Sequence, residues 1–227
     1  METIKQAKTL VDQTYDILLD AICGGEFAPG DRLNQDEIAA RLNVSRQPVN
    51  SAISILRANG FVRDTGRRGV VVSEIETALF QPIFEFRRVI EPFAVELAGE
   101  RMPKDAKAEA EVILLRGEAA ARGNDMRSMV QADVEFHAMV YGWSGNPVIE
   151  SSMRLNWHHI RRSMAQNLRS PGTAEPVWQE HRAIVEALLA GDVANAKATM
   201  HGHIDTAGRR ILAAIRAKEQ AQETGAA

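Results

Sequence analysis

The chain has 227 residues and a formal net charge of −3, with 45% hydrophobic and 25% charged residues. This composition is ordinary for a globular protein with room for two domains, and it excludes a largely disordered chain. No apolar run approaches the ~20 residues of a membrane span, and the first residues do not resemble a signal peptide. We therefore expect a cytoplasmic protein with no membrane partner. The single cysteine, Cys23, excludes an internal disulfide and a thiolate zinc cluster.

Residues 34–60 predict two short helices joined by a tight turn at Asn43. In each helix the apolar residues recur at spacings of three and four, and the opposite face is polar. Asn34 with Glu37 fits a capping box at the start of the first helix, and Ser45 is placed to cap the second. Such a helix pair has the shape of a DNA-reading device. The second helix would present polar side chains that can reach bases and phosphates in a major groove: Arg46, Gln47, Asn50 and Ser54.

Two β-prone runs, Phe61–Asp64 and Val70–Val72, follow the helix pair and predict a hairpin. The tip between them, residues 65–69, has hairpin length and carries two arginines flanked by glycines. Residues 41–68 hold six arginines and a single acidic residue, although the whole chain is net acidic. The positive charge is therefore local, and it lies where the phosphates of a bound duplex would lie. Together these features predict a winged helix-turn-helix.

The chain changes character after Ser73, where the strand signals end and Ala-, Leu-, Glu- and Arg-rich segments begin. Each segment has apolar spacings of three and four, which are typical of helices. Breaks that contain Gly, Pro or Asn separate six predicted helices over 77–101, 104–122, 125–142, 147–168, 175–190 and 192–219. The predicted fold is mainly α, with a winged helix-turn-helix domain at 1–73 and an all-α six-helix bundle at 77–220. Helices of this length can enclose a ligand.

Four potential metal ligands stand out in the predicted bundle. Asp133 and His137 lie one helical turn apart and project from the same face, while His181 and His203 belong to later helices. One carboxylate and three imidazoles can surround a divalent metal ion. Buried histidines are more often hydrogen-bonded core residues, so both interpretations stay open at this point. His201 competes with His203, because two residues along a helix turn by about 200° and only one of them can face the site.

Several stretches of the N-terminal third follow a known pattern: Gly25–Leu33, Ile38–Ala39, Val44–Val49, Leu56 and Asn59–Val62. They resemble the winged-helix domain of the GntR family of bacterial transcription regulators, over most of residues 10–73. The resemblance implies a double-stranded DNA operator as partner. The resemblance and the outward face of the second helix give the expected DNA-binding residues: Arg32, Ser45, Arg46, Gln47, Asn50, Gly66, Arg67 and Arg68.

The sequence departs from the GntR pattern within the second helix. Asn50 stands where the family usually has an arginine, and Ser51 stands where it usually has a glutamate. A carboxamide cannot make the bidentate guanine contact of a guanidinium and suits adenine instead. We therefore expect an operator that differs from the commonest one of the family.

The helical segments also follow a known pattern, from about Glu76 to Arg216. The matching stretches are Glu85–Glu91, Ala94, Leu97–Ala98, Asp133–His137, His181–Ile184, Ala187, Gly191–Asp192, Ala196, Met200 and His203. They resemble the FCD ligand-binding domain of the FadR-like branch of that family. In its metal-binding members the corresponding residues are the ligands, which implies Asp133, His137, His181 and His203 here and selects His203 over His201. Zinc is the expected ion, and nickel, manganese or iron would suit the same ligands.

The resemblance also implies a small organic acid as effector and places Arg87 in the same cavity. A guanidinium there can grip a carboxylate bidentately. The alternative is that Arg87 and Glu91 form an i, i+4 pair on the surface, worth only about 0.3–0.5 kcal/mol. Arg154 and Asn156 are weaker candidates for contacts with the effector.

These expectations combine into a ligand-switched DNA-binding regulator, a repressor in the commoner case. The bundles would hold a homodimer together, and the two winged helices would read the halves of an inverted repeat. A metal-dependent hydrolase fused to a DNA-binding module is the alternative, but no HExxH, GxSxG, Walker or dinucleotide motif occurs, and Glu135 would face away from the site. An architectural DNA-packing protein would need an extended basic surface, which 27 basic against 30 acidic residues do not supply.

Overall fold

The computed structural model describes residues 8–66, 69–167 and 174–225. The chain divides into two compact units, residues up to Ile75 and residues from Glu76 onward. Within the described ranges the elements follow in the order α1 (Leu10–Cys23), α2 (Gln35–Leu42), α3 (Arg46–Ala58), β1 (Val62–Asp64), β2 (Val70–Val72), α4 (Thr77–Arg101), α5 (Ala106–Arg122), α6 (Met126–Ser144), α7 (Pro147–Asn167), α8 (Ala174–Leu189) and α9 (Val193–Gly225). None of the helices in these ranges combines the length and apolarity that a membrane crossing requires.

The first unit is built around α1 and α3, which pack against each other. Helix α1 begins at a capping box, in which the Asp12 amide donates to Thr9 Oγ1 at 3.1 Å and the Thr9 amide donates to Asp12 Oδ2 at 3.0 Å. Apolar side chains from the helices and the hairpin form one core: Leu18, Leu19, Ile22, Val49, Ala52, Ile53, Leu56, Phe61, Val70 and Val72. Cys23 is a buried member of this core.

The turn between α2 and α3 depends on Asn43, which adopts the left-handed conformation at φ 53°. Asparagine tolerates this conformation, and its amide closes the end of α2. The predicted cap of α2 is present in a modified form, because the Asn34 side chain accepts from the amides of Asp36 and Glu37 and donates to the Glu37 carboxylate at 2.6 Å. Ser45 is the N-cap residue of α3, but it makes no side-chain cap bond, so its predicted capping role was wrong.

The wing is an antiparallel pair of strands with Val62 opposite Val72. The first strand begins at Val62 rather than at the predicted Phe61, which is buried in the core instead. A third segment pairs with β2, because Arg32 forms an isolated bridge with Val71. The Leu33 amide donates to the Val70 carbonyl at 3.0 Å. The sequence did not predict this third segment, whose effect is to fix the backbone of Arg32 beside the wing.

The second unit is a bundle of α4 to α9, as predicted. Helix α4 packs mainly on α9 and α6, and α5 packs on α6 and α8. The predicted bounds of α4 agree with the structure, whereas α9 continues past its predicted end to Gly225. Helix α5 approaches α8 closely at Gly117, where a Cβ atom would lie 2.1 Å from the ring of Trp178.

The first turn of α4 is capped by a side chain of α9, the last helix of the bundle. Glu76, its N-cap residue, makes no side-chain cap bond. Instead, the Glu219 carboxylate on α9 accepts from the Thr77 amide and from the Thr77 hydroxyl, both at 2.8 Å. A carboxylate at this position satisfies an orphan N–H group and interacts favourably with the helix dipole.

Candidate metal centre and DNA-reading surface

Three buried histidines from three helices converge inside the bundle: His137 on α6, His181 on α8 and His203 on α9. One nitrogen from each can be chosen so that all three lie within 4.8 Å of one another. The Nε2 atoms of His181 and His203 are 3.2 Å apart. Two nitrogen ligands at about 2.0–2.1 Å from a common ion are separated by a distance of this order. The trio therefore has the spacing of a metal site.

The predicted fourth ligand lies beside this trio. Asp133, one turn before His137 on α6, is 6% exposed. Its Oδ1 atom lies 3.6 Å from Nε2 of His181. The predicted competitor His201 is exposed, whereas His203 is buried within the trio. Glu135 contacts Arg116 on α5 and receives a hydrogen bond from Gln131 at 2.7 Å, so it points away from the histidines.

Burial keeps the imidazoles in the form that binds metal. Desolvation lowers the pKa of His137, and it lowers the pKa of His181 well below the ordinary value. Both rings are therefore neutral, and neutral imidazole is the metal ligand. Among the described residues, no group forms a hydrogen bond with Nε2 of His137 or Nδ1 of His181, although both atoms are inaccessible. An ion would give His137 Nε2 the partner it lacks, so the residues fit a divalent metal.

Two carboxylates stand behind the histidines. Oε2 of Glu91, on α4, lies 2.6 Å from Nδ1 of His137, and Oε2 of Glu180 lies 2.8 Å from Nδ1 of His203. Carboxylates in this position orient metal-binding histidines and increase their basicity. Burial acts to raise the pKa of Glu91, but the neighbouring Arg87 and His137 hold it well below its usual range.

Arg87 belongs to the same buried cluster. Its Nε donates to Oε1 of Glu91, and both side chains are buried, so the alternative of a surface pair is wrong. The guanidinium carbon lies 4.7 Å from the ring centroid of Trp157 and 5.4 Å from that of Phe84. Burial acts to lower the pKa of Arg87, but Glu91 and more distant groups, Asp133 among them, raise it. Arg87 therefore carries its charge close to the candidate metal centre.

The two weaker effector candidates lie in less enclosed positions on α7. Arg154 is exposed, and Asn156 is half-buried with its amide donating to the Ser152 carbonyl at 3.2 Å. Among the described residues, no hydrogen bond or ion pair joins either of them to the histidine trio. His159, on the same helix, is buried near Trp157, and His158 is half-buried.

The predicted DNA-reading residues of α3 form an exposed surface. Ser45, Arg46, Gln47 and Asn50 are all exposed. The Nε atom of Arg46 lies 3.0 Å from Oδ1 of Asp36 at the start of α2, and the two side chains are 62% and 67% exposed. This contact engages one edge of the guanidinium and leaves its terminal nitrogens for bases or phosphates.

The wing supplies the remaining predicted contacts. Arg32 is exposed, and its guanidinium lies 3.9 Å from the position that a Cβ atom would take on Gly69. Gly66 adopts φ 55° at the hairpin turn, where the Thr65 amide donates to the Gly69 carbonyl at 2.9 Å. The predicted contacts Arg67 and Arg68 lie outside the described residues.

Sequence reasoning missed three carboxylates that the structure places next to site residues. Glu91 and Glu180 face candidate metal ligands, and Asp36 faces Arg46. Glu91 follows Arg87 by four residues, which signals a pair but not its burial. Glu180 immediately precedes His181 yet supports His203, and no spacing rule points to that contact.

A winged helix with an exposed polar face on α3, followed by an all-helical domain with a buried polar centre, is the architecture of a class of DNA-binding regulators. Comparison with known families agrees. Residues 10–72 match the family described as bacterial regulatory proteins, gntR family, and residues 82–206 match the FCD domain. The chain belongs to the GntR family and carries an FCD domain. It is a DNA-binding transcription regulator and not an enzyme, so the hydrolase alternative was wrong.

Individual relatives carry the same description. The chain is 25% identical over 194 residues to the uncharacterized HTH-type transcriptional regulator YdhC of Bacillus subtilis (strain 168), covering 85% of this chain and 87% of that one. It is 31% identical over 157 residues to the Nta operon transcriptional regulator of Aminobacter aminovorans, covering 63% and 72%. A crystal structure of a GntR transcriptional regulator from Rhodococcus sp. RHA1 is similar with a TM-score of 0.76 and 26% identity, covering 89% and 97%.

Proposed function

We propose that this GntR regulator is a metal-containing sensor whose affinity for its operator is controlled by a small organic acid bound in the FCD domain. The convergence of His137, His181 and His203 carries the proposal. These side chains come from three helices, they are buried, and two of them are neutral because burial lowers their pKa. A core histidine cluster with a purely structural role would be expected to satisfy its nitrogens internally, whereas His137 Nε2 has no partner among the described residues.

The proposed ligands are the three histidines and Asp133. An ion in octahedral coordination that is held by these four groups would keep two open positions, which a carboxylate can occupy. Zinc is our first choice, and nickel, manganese and iron suit the same donors. Metal availability would decide among ions of similar affinity.

Arg87 is the proposed second anchor of the acid. Glu91 engages its Nε, which is one of five N–H donors of a guanidinium, and the other donors remain suited to a carboxylate. Its guanidinium carbon lies over the rings of Trp157 and Phe84, and these contacts restrict its orientation. A preoriented guanidinium beside a metal ion favours a carboxylic acid over a neutral ligand of the same size. The roles of Arg154 and Asn156 in effector binding stay predictions from the sequence.

The proposed partner is an operator with an inverted repeat, read by a homodimer. Arg46 and Gln47 would contact bases and phosphates, Asn50 would favour adenine, and Arg32 would contact the backbone beside the wing. If the dimer has two conformations that differ in operator affinity, the effector can change the balance between them only by binding one conformation more tightly than the other. A typical coupling of about 1–3 kcal/mol corresponds to a 5- to 150-fold change in affinity. We propose repression as the sign, because it is the commoner one among regulators of this kind.

An exposed apolar stripe on α4 supports the homodimer. Phe86, Val89 and Phe93 recur at spacings of three and four and are 40%, 73% and 43% exposed. Residues at these spacings share one helix face, and a continuous apolar face is unfavourable in water. A second copy of the same face would cover it by twofold symmetry.

The decisive experiment measures metal content by elemental analysis and then the melting temperature of the protein against a panel of organic acids, before and after chelation. Bound metal together with a stabilisation by one class of acid that chelation abolishes would establish the sensor. Neutral analogues of the same acids are the matched controls. Metal-free protein with no acid-dependent shift, even after incubation with Zn²⁺, would leave the four residues as a structural cluster and refute the proposed sensor.

A further inference from the structure

Glu91 makes two contacts with two different parts of the proposed sensor. Its Oε1 accepts from Nε of Arg87, and its Oε2 lies 2.6 Å from Nδ1 of His137. The carboxylate is fully buried. We infer that Glu91 is a positioning residue, which fixes His137 in the Nδ1–H tautomer and so directs the Nε2 lone pair toward the metal position. The inference rests on the proposed metal site and names a residue that acts on it.

The tautomer follows from the chemistry of the carboxylate. An ionised carboxylate has acceptors only, and the paired guanidinium of Arg87 favours the ionised form. A neutral imidazole next to it must therefore place its proton on the facing nitrogen, which is Nδ1 of His137. Nε2 is then the nitrogen with the free lone pair. It has no hydrogen-bond partner in the described part of the chain, whereas Nδ1 has the Glu91 carboxylate oxygen 2.6 Å away. The outer contact thus prepares the ring for metal before any metal arrives.

The position of Glu91 is itself fixed by Arg87. The guanidinium lies 4.7 Å from the ring centroid of Trp157, and its Nε holds one oxygen of the carboxylate. Because one carboxylate is shared, a change at Arg87 is transmitted to His137 through Glu91. The proposed effector anchor and a proposed metal ligand are therefore joined by a single side chain.

The variant Glu91→Gln tests this arrangement because an amide has one acceptor oxygen where the carboxylate has two. Arg87 is charged and claims that oxygen, so the NH₂ group turns toward His137 and forces its proton onto Nε2. We expect the Nε2–H tautomer of His137 and a loss of about 10- to 100-fold in Zn²⁺ affinity. The tautomer is read from long-range ¹⁵N–¹H spectra of the metal-free protein, and the affinity from competition between Zn²⁺ and a chelator.

A second change should rescue the first. In the double variant Arg87→Met with Glu91→Gln, no guanidinium competes for the amide oxygen, which can turn to His137 and accept from Nδ1. We expect the Nδ1–H tautomer to return and most of the lost Zn²⁺ affinity to be restored. A merely structural role for Glu91 predicts the opposite order, with the double variant no better than the single one.

Glu96→Gln is the matched control, because Glu96 lies on the same helix and pairs with Lys197 at the surface. It should alter neither the tautomer nor the affinity. If Glu91→Gln does not fold because the charge of a buried Arg87 is no longer neutralised, the double variant and the wild type still give both readings. An Nε2–H tautomer of His137 in the metal-free wild type would overturn the inference, as would unchanged Zn²⁺ affinity in folded Glu91→Gln. If the wild type binds no Zn²⁺, the proposed metal site is refuted instead. The tautomer of His137 would still test whether Glu91 positions its ring.

Discussion

The ring of Trp178 on α8 occupies the space in which a side chain on Gly117 of α5 would lie. A Cβ atom built on Gly117 would be 2.1 Å from the ring, well inside van der Waals contact. The same indole packs edge-on against His181, with ring centroids 4.8 Å apart. The absence of a side chain on α5 therefore determines the position of a ring that supports a proposed metal ligand.

Gly117→Ala should destabilise the bundle, because the new methyl group must displace Trp178. Overpacking of this kind costs about 1–3 kcal/mol, and thermal unfolding should detect it as a fall of several degrees. Gly142→Ala on α6 is the control, since nothing lies within 4 Å of its added Cβ. That change should be neutral or stabilising by up to about 1 kcal/mol, because alanine favours a helix over glycine. Equal effects of the two substitutions would contradict the close approach at Gly117.

His203→Ala should lower metal content and remove the stabilisation that bound metal provides. At free metal 100-fold above its Kd, that stabilisation is about 2.7 kcal/mol. His201→Ala is a control on the same helix, because His201 is exposed while His203 is buried beside His181. Elemental analysis and melting curves with and without chelator would measure both effects. Loss of metal from the His201 variant alone would show that the other face of α9 binds the ion.

Arg46→Ala should weaken binding to a DNA site selected from a random duplex library. A lost bidentate base contact costs about 1–3 kcal/mol and relaxes specificity at one base position in each half-site. Arg122→Ala on α5 removes the same charge outside the reading surface and should have little effect. Mobility shifts over a range of salt concentrations would separate the two kinds of contact, because loss of a phosphate contact changes the salt slope. Normal affinity and specificity in Arg46→Ala would mean that α3 is not the recognition helix.

Val89→Asp should convert the proposed homodimer into monomers by placing a charge in the middle of the apolar stripe on α4. Burying an unpaired carboxylate in an interface is strongly unfavourable. Val112→Asp on α5 is the control, because Val112 is similarly exposed but lies outside the stripe. Light scattering after size exclusion gives the mass of each variant. A dimeric Val89→Asp protein with unchanged dissociation would place the dimer contact elsewhere.

The helices of the bundle could be predicted because helix-terminating residues such as Gly and Pro mark their ends. Met102 and Pro103 end α4, and Gly145 ends α6 in the left-handed conformation at φ 62°. The turn at Asn43 and the hairpin strands could likewise be predicted from their residue types. Each of these features depends on neighbours within a few residues, where propensity and turn chemistry act directly.

Features that depend on distant packing could not be predicted in this way. An Arg and a Glu four residues apart have the same sequence pattern on a surface and in a core. The burial of the Arg87–Glu91 pair is determined by the packing of α6 and α7 over it, which the local sequence does not encode. The pairing of Arg32 with Val71 joins segments almost forty residues apart and has no local signal. The outer carboxylates belong to the same group, because tertiary packing decides which histidine each one meets.

The carboxylate of Glu219 links α9 to the start of α4. The helix that carries His203 also holds the first residue of α4, Thr77, through two hydrogen bonds. Thr77 directly follows the short nonhelical segment that leads out of the winged-helix unit. A displacement of α9 would therefore be transmitted through these two hydrogen bonds to Thr77. Covalent and hydrogen bonds thus connect the histidine cluster with the nonhelical segment that leads to the winged-helix unit.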